Sequence, residues 1–415
     1  MAVPSSVDLP ESIPFEPSDW NYKGEGNENI VFSYGGSNTD ISGWLLRLSK
    51  CDVATSVNGC TAHQLDDTQR KRDNATYTTS VIGPLLGPEY ILPQRLVALE
   101  PDFLRRLQAK SEPLRPAHRL HRQVDLSQEV GVLMPNAFRG TPPVSSSGRL
   151  RQSVTVELKP KWGFLPSLSS VSPRNSVKSR VCRYCMHQFT KHASQDISGF
   201  CPLDLYSGDC HRIVRALDSL AQSPQNNLRV FVNDHIAIDR HGKISDECVS
   251  QWEALRDCIA DIVLKEPLFS RLKQCQRMLD SLDIEGILPL YRRAVESGSL
   301  ANVQPSIGDW LTTVTDFLHR TERADSTVTD KQVILEFLIS TTLKDVSVLI
   351  TLPEWPVHRT SLDSVPTEPQ YAIAVIDSDP KKLAKIPDYF SKDEKIVKHY
   401  LKHCPDLGSQ RQCIE

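Results

Sequence analysis

Acidic side chains at two places late in the sequence have the type and position for phosphoryl chemistry. Asp345 opens the run DVSVLITLP, and Asp377 and Asp379 close the run YAIAVIDSDP. Both runs are short and β-branched like strands, so these acids stand at strand ends, where Asp is often only a turn former. Phosphoryl transfer asks for one carboxylate beside the attacking hydroxyl and another on Mg²⁺, because positioning and charge neutralisation supply most of the catalysis. Cations are offered by VELKPKWGFLP at 156–166. Strand alternation puts Glu157, Lys159 and Lys161 on one face and Val154, Val156 and Leu158 on the other. That describes either a half-buried strand with a charged working face or an exposed edge strand whose lysines guard against aggregation.

Further polar groups lie on other segments. In RVCRYCMHQFTKH the spacing predicts a helix with Cys182, Cys185, Met186 and Phe189 on an apolar stripe and Arg183, His187 and Lys191 on a cationic or merely solvated face. Pro380 can open a helix in which Lys381 and Lys385 share a side. Asn226, Asn227 and Arg229 in NNLRVFVND add amide and guanidinium donors. The glycine-containing turn GEGNEN, with Gly24, Gly26 and Asn29, joins two strand-like runs. It is a plain hairpin turn or a flap of the kind that covers ATP phosphates in protein kinases, with Arg47 near the end of the third strand as a phosphate-facing cation. One nucleotide carries too few phosphates for all these cations, so a second, heavily phosphorylated substrate is implied.

The elements that must position these groups divide the sequence. A strand-rich N-terminal lobe reaches about residue 150, with 51–78 an irregular excursion, and a larger α/β lobe occupies 151–415, giving an α/β (α+β) class with two lobes. A chain of 415 residues is long for one core, so two lobes are expected on size as well. With 39% apolar and 24% charged residues it reads as a soluble protein, and no apolar run is long enough to suggest a membrane span or secretory signal. A net charge of −3 excludes nucleic-acid binding through a global positive field. Eleven scattered cysteines suit reduced thiols in the cytoplasm or nucleus. Cys182 and Cys185 with Cys201, Cys210 and His211 offer a ligand set for zinc, but the spacing matches no standard site, so buried structural thiols are favoured.

These words together resemble the inositol-pentakisphosphate 2-kinase family. GEGNEN, VELKPKWGFLP for the family's E-[IL]-K-P-K-x-G-F, RYCMHQ, CPLDLYSGD, NNLRVF, LKDVSVLI and IDSDPKKL occur in order between about residues 20 and 395. The resemblance implies a distant protein-kinase relative that moves the ATP γ-phosphate to the 2-hydroxyl of inositol 1,3,4,5,6-pentakisphosphate, making the hexakisphosphate, phytate. It implies that Gly24, Gly26, Asn29, Arg47, Glu157, Arg229 and the apolar Leu349 serve ATP. Lys159, Lys161, His187, Lys191, Asn226, Asn227, Lys381, Lys385 and Tyr389 would grip inositol phosphates. Asp345 would be the general base, Asp377 the Mg²⁺ ligand with Asp379 as helper, and Lys159 would balance charge on the transferred group.

Departures from the family pattern carry their own expectations. Asp52 stands where plant members have a basic substrate contact, which makes Arg115 a candidate contact from the small lobe. Plant members carry a structural zinc through a C-x-x-C pair, but residues 240–300 hold only Cys248, Cys258 and Cys275, so no zinc is expected. Pro380 replaces a residue of the family's D-L-D-L-K pattern and is expected to shift Lys381. The chain is expected to act as a monomer, with neither nucleic acid nor membrane as partner. A non-catalytic inositide-binding scaffold and a zinc-dependent nucleic-acid binder are the readings from other classes.

Overall fold

Every second residue of NIVFSY is apolar, and in the computed structural model Ile30, Phe32 and Tyr34 are buried while Asn29, Val31 and Ser33 are only partly covered. The structure describes residues 16–52, 64–138, 151–191, 197–239, 242–243, 251–298, 300, 304–320, 328–356 and 370–415. It is a mixed α/β (α+β) fold with two antiparallel sheets, one in each of two compact units. The first unit comprises Met1–Thr79 and Leu92–Ala137, the second Ser80–Ile91 and Phe138–Glu415.

In the first unit β1 (Trp20–Glu25), β2 (Asn29–Tyr34) and β3 (Trp44–Asp52) form the meander that the turn residues predict. The sheet continues β1-β2-β3-β6-β4, with β4 Arg95–Ala98 and β6 Val130–Pro135, and β5 (Arg122–Val124) pairs with the far end of β3. Trp20, Phe32, Leu46 and Leu48 meet Phe103, Leu104 and Leu107 of a helix, Pro101–Ser111, in one core. Residues 51–78 are not wholly irregular, because Gln64–Tyr77 is helical (α1). Its sequence QLDDTQRKRDNATY has no apolar stripe for periodicity to detect. What holds it is the buried ammonium of Lys71, bonded to Gln128 Oε1 at 2.9 Å and the Val130 carbonyl at 2.6 Å, together with buried Ala75 and Tyr77.

The segment Ser80–Ile91, which the sequence reading assigned to the first lobe, belongs to the second unit. Tyr90 donates to Glu266 at 2.7 Å, Arg271 donates to the Leu86 carbonyl at 2.8 Å, and Ile91 bridges to Val375. The boundary expected near residue 150 falls among residues outside the description. The second sheet runs β10-β9-β8-β7-β11-β12, all neighbours antiparallel. Its strands are β7 Arg151–Leu158, β8 Leu228–Val232, β9 His235–Asp239, β10 Gly242–Lys243, β11 Ser347–Pro356 and β12 Ala372–Ile376.

The second unit also carries the helices α2 (Gly83–Leu86), α4 (Arg183–Lys191), α5 (Pro202–Leu205), α6 (Cys210–Gln222), α7 (Trp252–Lys265), α8 (Pro267–Leu279), α9 (Asp283–Glu296), α10 (Ile307–Arg320), α11 (Asp330–Leu343) and α12 (Ile386–His403), while α3 is the Pro101–Ser111 helix of the first. The sequence reading missed α10 and α11. In α11 Ile334, Phe337, Leu338, Ile339 and Leu343 are buried on every side, so no polar face gives the helix an amphipathic signature.

Candidate active site

Antiparallel pairing brings the end of one strand beside the start of the next. Leu158, the last residue of β7, pairs with Leu228 at the start of β8 and with Val348 at the start of β11, and Ser347 pairs with Ile376 at the end of β12. One end of the second sheet therefore collects Lys159, Asn226 and Asn227, Asp345, and Asp377, residues separated by up to 218 positions in the chain. The register also places Glu157 directly between Arg229 and Leu349, so these three share one face of neighbouring strands. Arg229 lies 3.5 Å from Glu157, and Leu349 is buried beside them.

The acids and lysines meet as ion pairs. Lys159 Nζ is 2.6 Å from Asp377 Oδ2, and Asp345 takes Lys381 on Oδ2 at 2.8 Å and Lys161 on Oδ1 at 3.3 Å. Ser347 Oγ links the two sides, 3.0 Å from Glu157 Oε1 and 3.1 Å from Asp377 Oδ2. Burial alone would raise the carboxyl of Asp345, but Lys381 and Lys161 hold it down at about 2. The same competition leaves Asp377 below its ordinary range, with Lys159 as the chief lowering influence. Burial works against the Lys159 ammonium too, and the Asp377 charge overrides it, raising that group above its ordinary value. Both acid side chains remain 55% exposed, so the cluster is open to a ligand.

β7 is a central strand with both faces covered, which removes the edge-strand alternative and also the half-buried one. Thr155 and Glu157 are buried like Val154, Val156 and Leu158, and Thr155 bonds across to Thr351. The strand stops at Leu158, so Lys159 and Lys161 are aimed by a loop and not by alternation. Lys161 and Asp377 both have positive φ, +63° and +61°, backbone states that cost non-glycine residues energy and cluster at functional sites. Gln276, fully buried on α8, fixes the lysine loop by accepting from Gly163 N at 2.8 Å and donating to the carbonyls of Lys161 and Leu343, each at 3.0 Å.

The apolar plug behind the lysines has an electrostatic use. Trp162 and Phe164 stack with centroids 6.2 Å apart, and the Lys344 ammonium lies 4.1 Å from the Trp162 ring, with Arg183 over the same ring at 5.2 Å. Lys344 is also paired with Asp280 inside the protein. The residue immediately before Asp345 is thereby clamped between an aromatic surface and a buried carboxylate, which limits the freedom of Asp345 itself.

A family model described as inositol-pentakisphosphate 2-kinase matches residues 22–395. The chain belongs to the inositol-pentakisphosphate 2-kinase family. Its members are kinases, so this chain is an enzyme. A rice protein named inositol-pentakisphosphate 2-kinase is 30% identical over 95% of this chain and 96% of its own length. Relatives of the same name from Arabidopsis thaliana and Danio rerio are each 28% identical, covering 93% of this chain and 94% of their own.

Tyr389 on α12 stands near Asp345, and burial followed by the charges of Asp345 and Asp388 pushes its phenol up. Asn227 is buried and structural in its bonding, donating to Tyr184 Oη at 2.9 Å while its carbonyl accepts from Lys159 N at 2.9 Å. Asn226 is exposed, His187 is half-buried on α4, and Lys385 is exposed and paired with Asp388. The side chain of Lys191 lies outside the described residues, and Thr342 Oγ1 donates to the Asp379 carbonyl at 3.4 Å.

In the first unit Gly24 and Gly26 flank the β1–β2 turn, Gly26 N bonds to the Asn29 carbonyl at 2.9 Å, and a Cβ added at either glycine would meet nothing. Arg47 is half-buried on β3 opposite Val31 and Val132. Arg115 is not presented as a ligand contact. Its guanidinium is buried, with two bonds to Glu25 at 2.8 and 2.9 Å and a third to Gln123 at 2.9 Å, so gripping a phosphate would require breaking an internal ion pair. The cysteine set also differs from the expected one. Cys210 and His211 are exposed and apart, whereas Cys413 joins Cys182, Cys185 and Cys201 in a buried group.

Proposed function

We propose that this enzyme transfers the γ-phosphoryl group of ATP to the 2-hydroxyl of inositol 1,3,4,5,6-pentakisphosphate, yielding the hexakisphosphate, on a two-lobed fold distantly related to protein kinases. The observation that carries the reading is the meeting of Asp345 and Asp377 with Lys159, Lys161 and Lys381 at one end of the second sheet, in a chain of this family.

The lysines that hold Asp345 at about 2 in the free chain are the groups a polyphosphate would recruit. Each phosphomonoester carries roughly −1.5 to −2 near neutral pH. When Lys161 and Lys381 turn to substrate phosphates, Asp345 loses its cationic partners, rises toward the ordinary carboxylate range and becomes able to accept the hydroxyl hydrogen bond. Only modest basicity is needed, since a loose phosphoryl-transfer transition state asks chiefly for orientation of the nucleophile. Lys159 spreads charge from the transferred group, and Glu157, Arg229 and Leu349 form the nucleotide side of the same sheet face; Gly24, Gly26, Asn29 and Arg47 are assigned to ATP as well.

Asp377 fits a magnesium ligand: Lys159 and Ser347 both donate to its Oδ2, leaving Oδ1 for a hard cation that takes one or two carboxylates and completes its shell with phosphates and water. Asp379 stands two residues further on. Bound Mg²⁺ would neutralise charge on the nucleotide phosphates. A non-catalytic scaffold would have no need of both acids. Incubating the full chain with Mg-ATP and the pentakisphosphate, then resolving products by anion-exchange chromatography, tests the proposal. A hexakisphosphate peak is expected; its absence with folded protein, or phosphorylation only of other isomers, defeats it.

A further inference from the structure

We propose that Tyr206 is the positioning residue for Lys161, a substrate-gripping lysine of the proposed reaction, and that position 163 is glycine to admit the Tyr206 ring. Two of the family words interlock here: Tyr206 belongs to CPLDLYSGD, and Lys161 and Gly163 belong to VELKPKWGFLP. A Cβ added at Gly163 would lie 2.9 Å from Cδ2 of the Tyr206 ring and 3.1 Å from its Cε2 and Cγ, so the ring or the loop would have to move. Gly163 has no left-handed φ, so glycine is required there for space and not for backbone conformation. Tyr206 Oη in turn donates to the Lys161 carbonyl at 3.4 Å.

Lys161 needs such support. Its φ of +63° is a backbone state that persists only where the neighbours over-determine it. Its carbonyl receives two donors, Tyr206 Oη and the Gln276 amide at 3.0 Å. Burial pushes the Tyr206 phenol up, so the hydroxyl keeps its proton and stays a donor. The tyrosine stands on a fixed corner: its N–H donates to the Pro202 carbonyl at 3.1 Å where α5 ends, and Asp209 caps α6 by accepting from Arg212 N at 2.9 Å. The Arg212 side chain returns to Asp204 of α5 at 2.9 Å, tying the two helices across the corner. The Tyr206 ring packs edge-on to Phe269 of α8, the helix that also carries Gln276. Both donors to the Lys161 carbonyl therefore stand on one packed framework.

The inference rests on the reading of Lys161 as a phosphate contact. Lys161 Nζ is 3.3 Å from Asp345, so a shift of its loop displaces a cation that serves both the substrate and that acid. Tyr206 also lines a cavity of about 400 Å³, with Leu205, Phe269 and Lys273. That space lets the ring yield when position 163 gains a methyl group. Gly163→Ala is therefore expected to fold, with the Tyr206 hydroxyl drawn off the carbonyl and Lys161 loosened.

Equilibrium binding of inositol pentakisphosphate and of Mg-ATP to the full chain, measured by calorimetry, tests the assignment. Tyr206→Phe, which keeps the ring and loses only the hydroxyl, should weaken pentakisphosphate binding about threefold, and Gly163→Ala about tenfold. ATP affinity should not change in either variant. In a Lys161→Met background both effects should vanish, because the loop then presents no ammonium to misplace. A merely structural role would weaken both ligands or persist without the Lys161 ammonium, and either result overturns the assignment. So does a folded Gly163→Ala that binds pentakisphosphate as the wild type does. Should Gly163→Ala fail to fold, the Tyr206→Phe cycle with Lys161→Met decides alone. Wild type that makes no hexakisphosphate defeats the proposed function, whereas wild type that makes it, with Tyr206→Phe and Lys161→Met losses that simply add, defeats only this inference.

Discussion

Two clusters in the second unit are built from the same residue types and have opposite fates. In one, Lys159, Lys161 and Lys381 meet Asp345 and Asp377, whose side chains are 55% exposed. In the other, Lys178 lies among Asp283, Glu285 and Asp393 and is 2% exposed, with Arg183 also on Asp393 at 2.9 Å. Lys344 with Asp280 repeats the buried pattern. A buried pair has already lost its water, so exchanging either partner for a ligand would strand a charge at large cost. An open pair is held only modestly, and a polyanion can replace its carboxylate. Burial, more than residue type, separates a working lysine from a structural one. The first unit makes the same point, where Arg115 and Lys50 are locked on Glu25.

The contrast predicts its own tests. Asp345→Asn should lower kcat by about 10³-fold or more while leaving pentakisphosphate affinity nearly intact or improved, since it frees two lysines. Rapid-quench kinetics with equilibrium binding would show it, and near-normal turnover would mean the open cluster is not the reacting one. Lys178→Met should do the reverse, with a loss of about 3–5 kcal/mol in urea unfolding because three carboxylates are left packed without their cation. A mild loss would show that the buried group is not locked.

Linkage gives the buried cluster a pH signature. Burial pushes Asp283 up to about 6 even with Lys178 beside it. A carboxyl whose folded value exceeds its unfolded one of about 3.9 contributes stability fully present below pH 4 and lost as pH rises through 6. Asp283→Asn should flatten the wild-type decline across that window in thermal melts, and an unchanged slope would remove Asp283 as its source.

Gln276 joins the two regimes, a buried amide that shapes the open site. Gln276→Leu should cost about 1–3 kcal/mol of stability by leaving Gly163 N–H and two carbonyls unpaired, and should raise KM more than it lowers kcat as the Lys161 loop loosens. The smallest effect belongs to Lys381→Met, with KM raised roughly tenfold by loss of one charged contact. Removing that cation also lets Asp345 rise from about 2, so the acid limb of kcat/KM, which reports the free enzyme, should move to higher pH than in the wild type. An unmoved limb would mean Lys381 does not set the state of Asp345.

Much of this was legible from the sequence where local order carries the information. The alternation of NIVFSY, the stripe of Cys182, Cys185 and Met186, and the strand-end positions of Asp345 and Asp377 follow from periods of two and 3.6 residues, and the family words from residue identity. Helix α1 was hidden because its support is its own buried Lys71, whose partners Gln128 and Val130 lie on another segment, and α11 because it is apolar all round. Arg115 looked like a spare cation because nothing nearby in sequence reveals Glu25 as its partner. Ser347 and Gln276 carried no signal, being ordinary polar residues whose roles are set by neighbours 30 to 190 positions away.

By itself the sequence determined which chemical groups exist, which locally periodic segments are strands or helices, and the family to which they belong, since these depend on side chains within a few residues of each other. Only the tertiary structure decided which lysines face a carboxylate in the open and which are sealed with one, and that the fourth sulfur is Cys413 and not Cys210. Those outcomes depend on strand register and burial, which bring together atoms that the chain order keeps far apart.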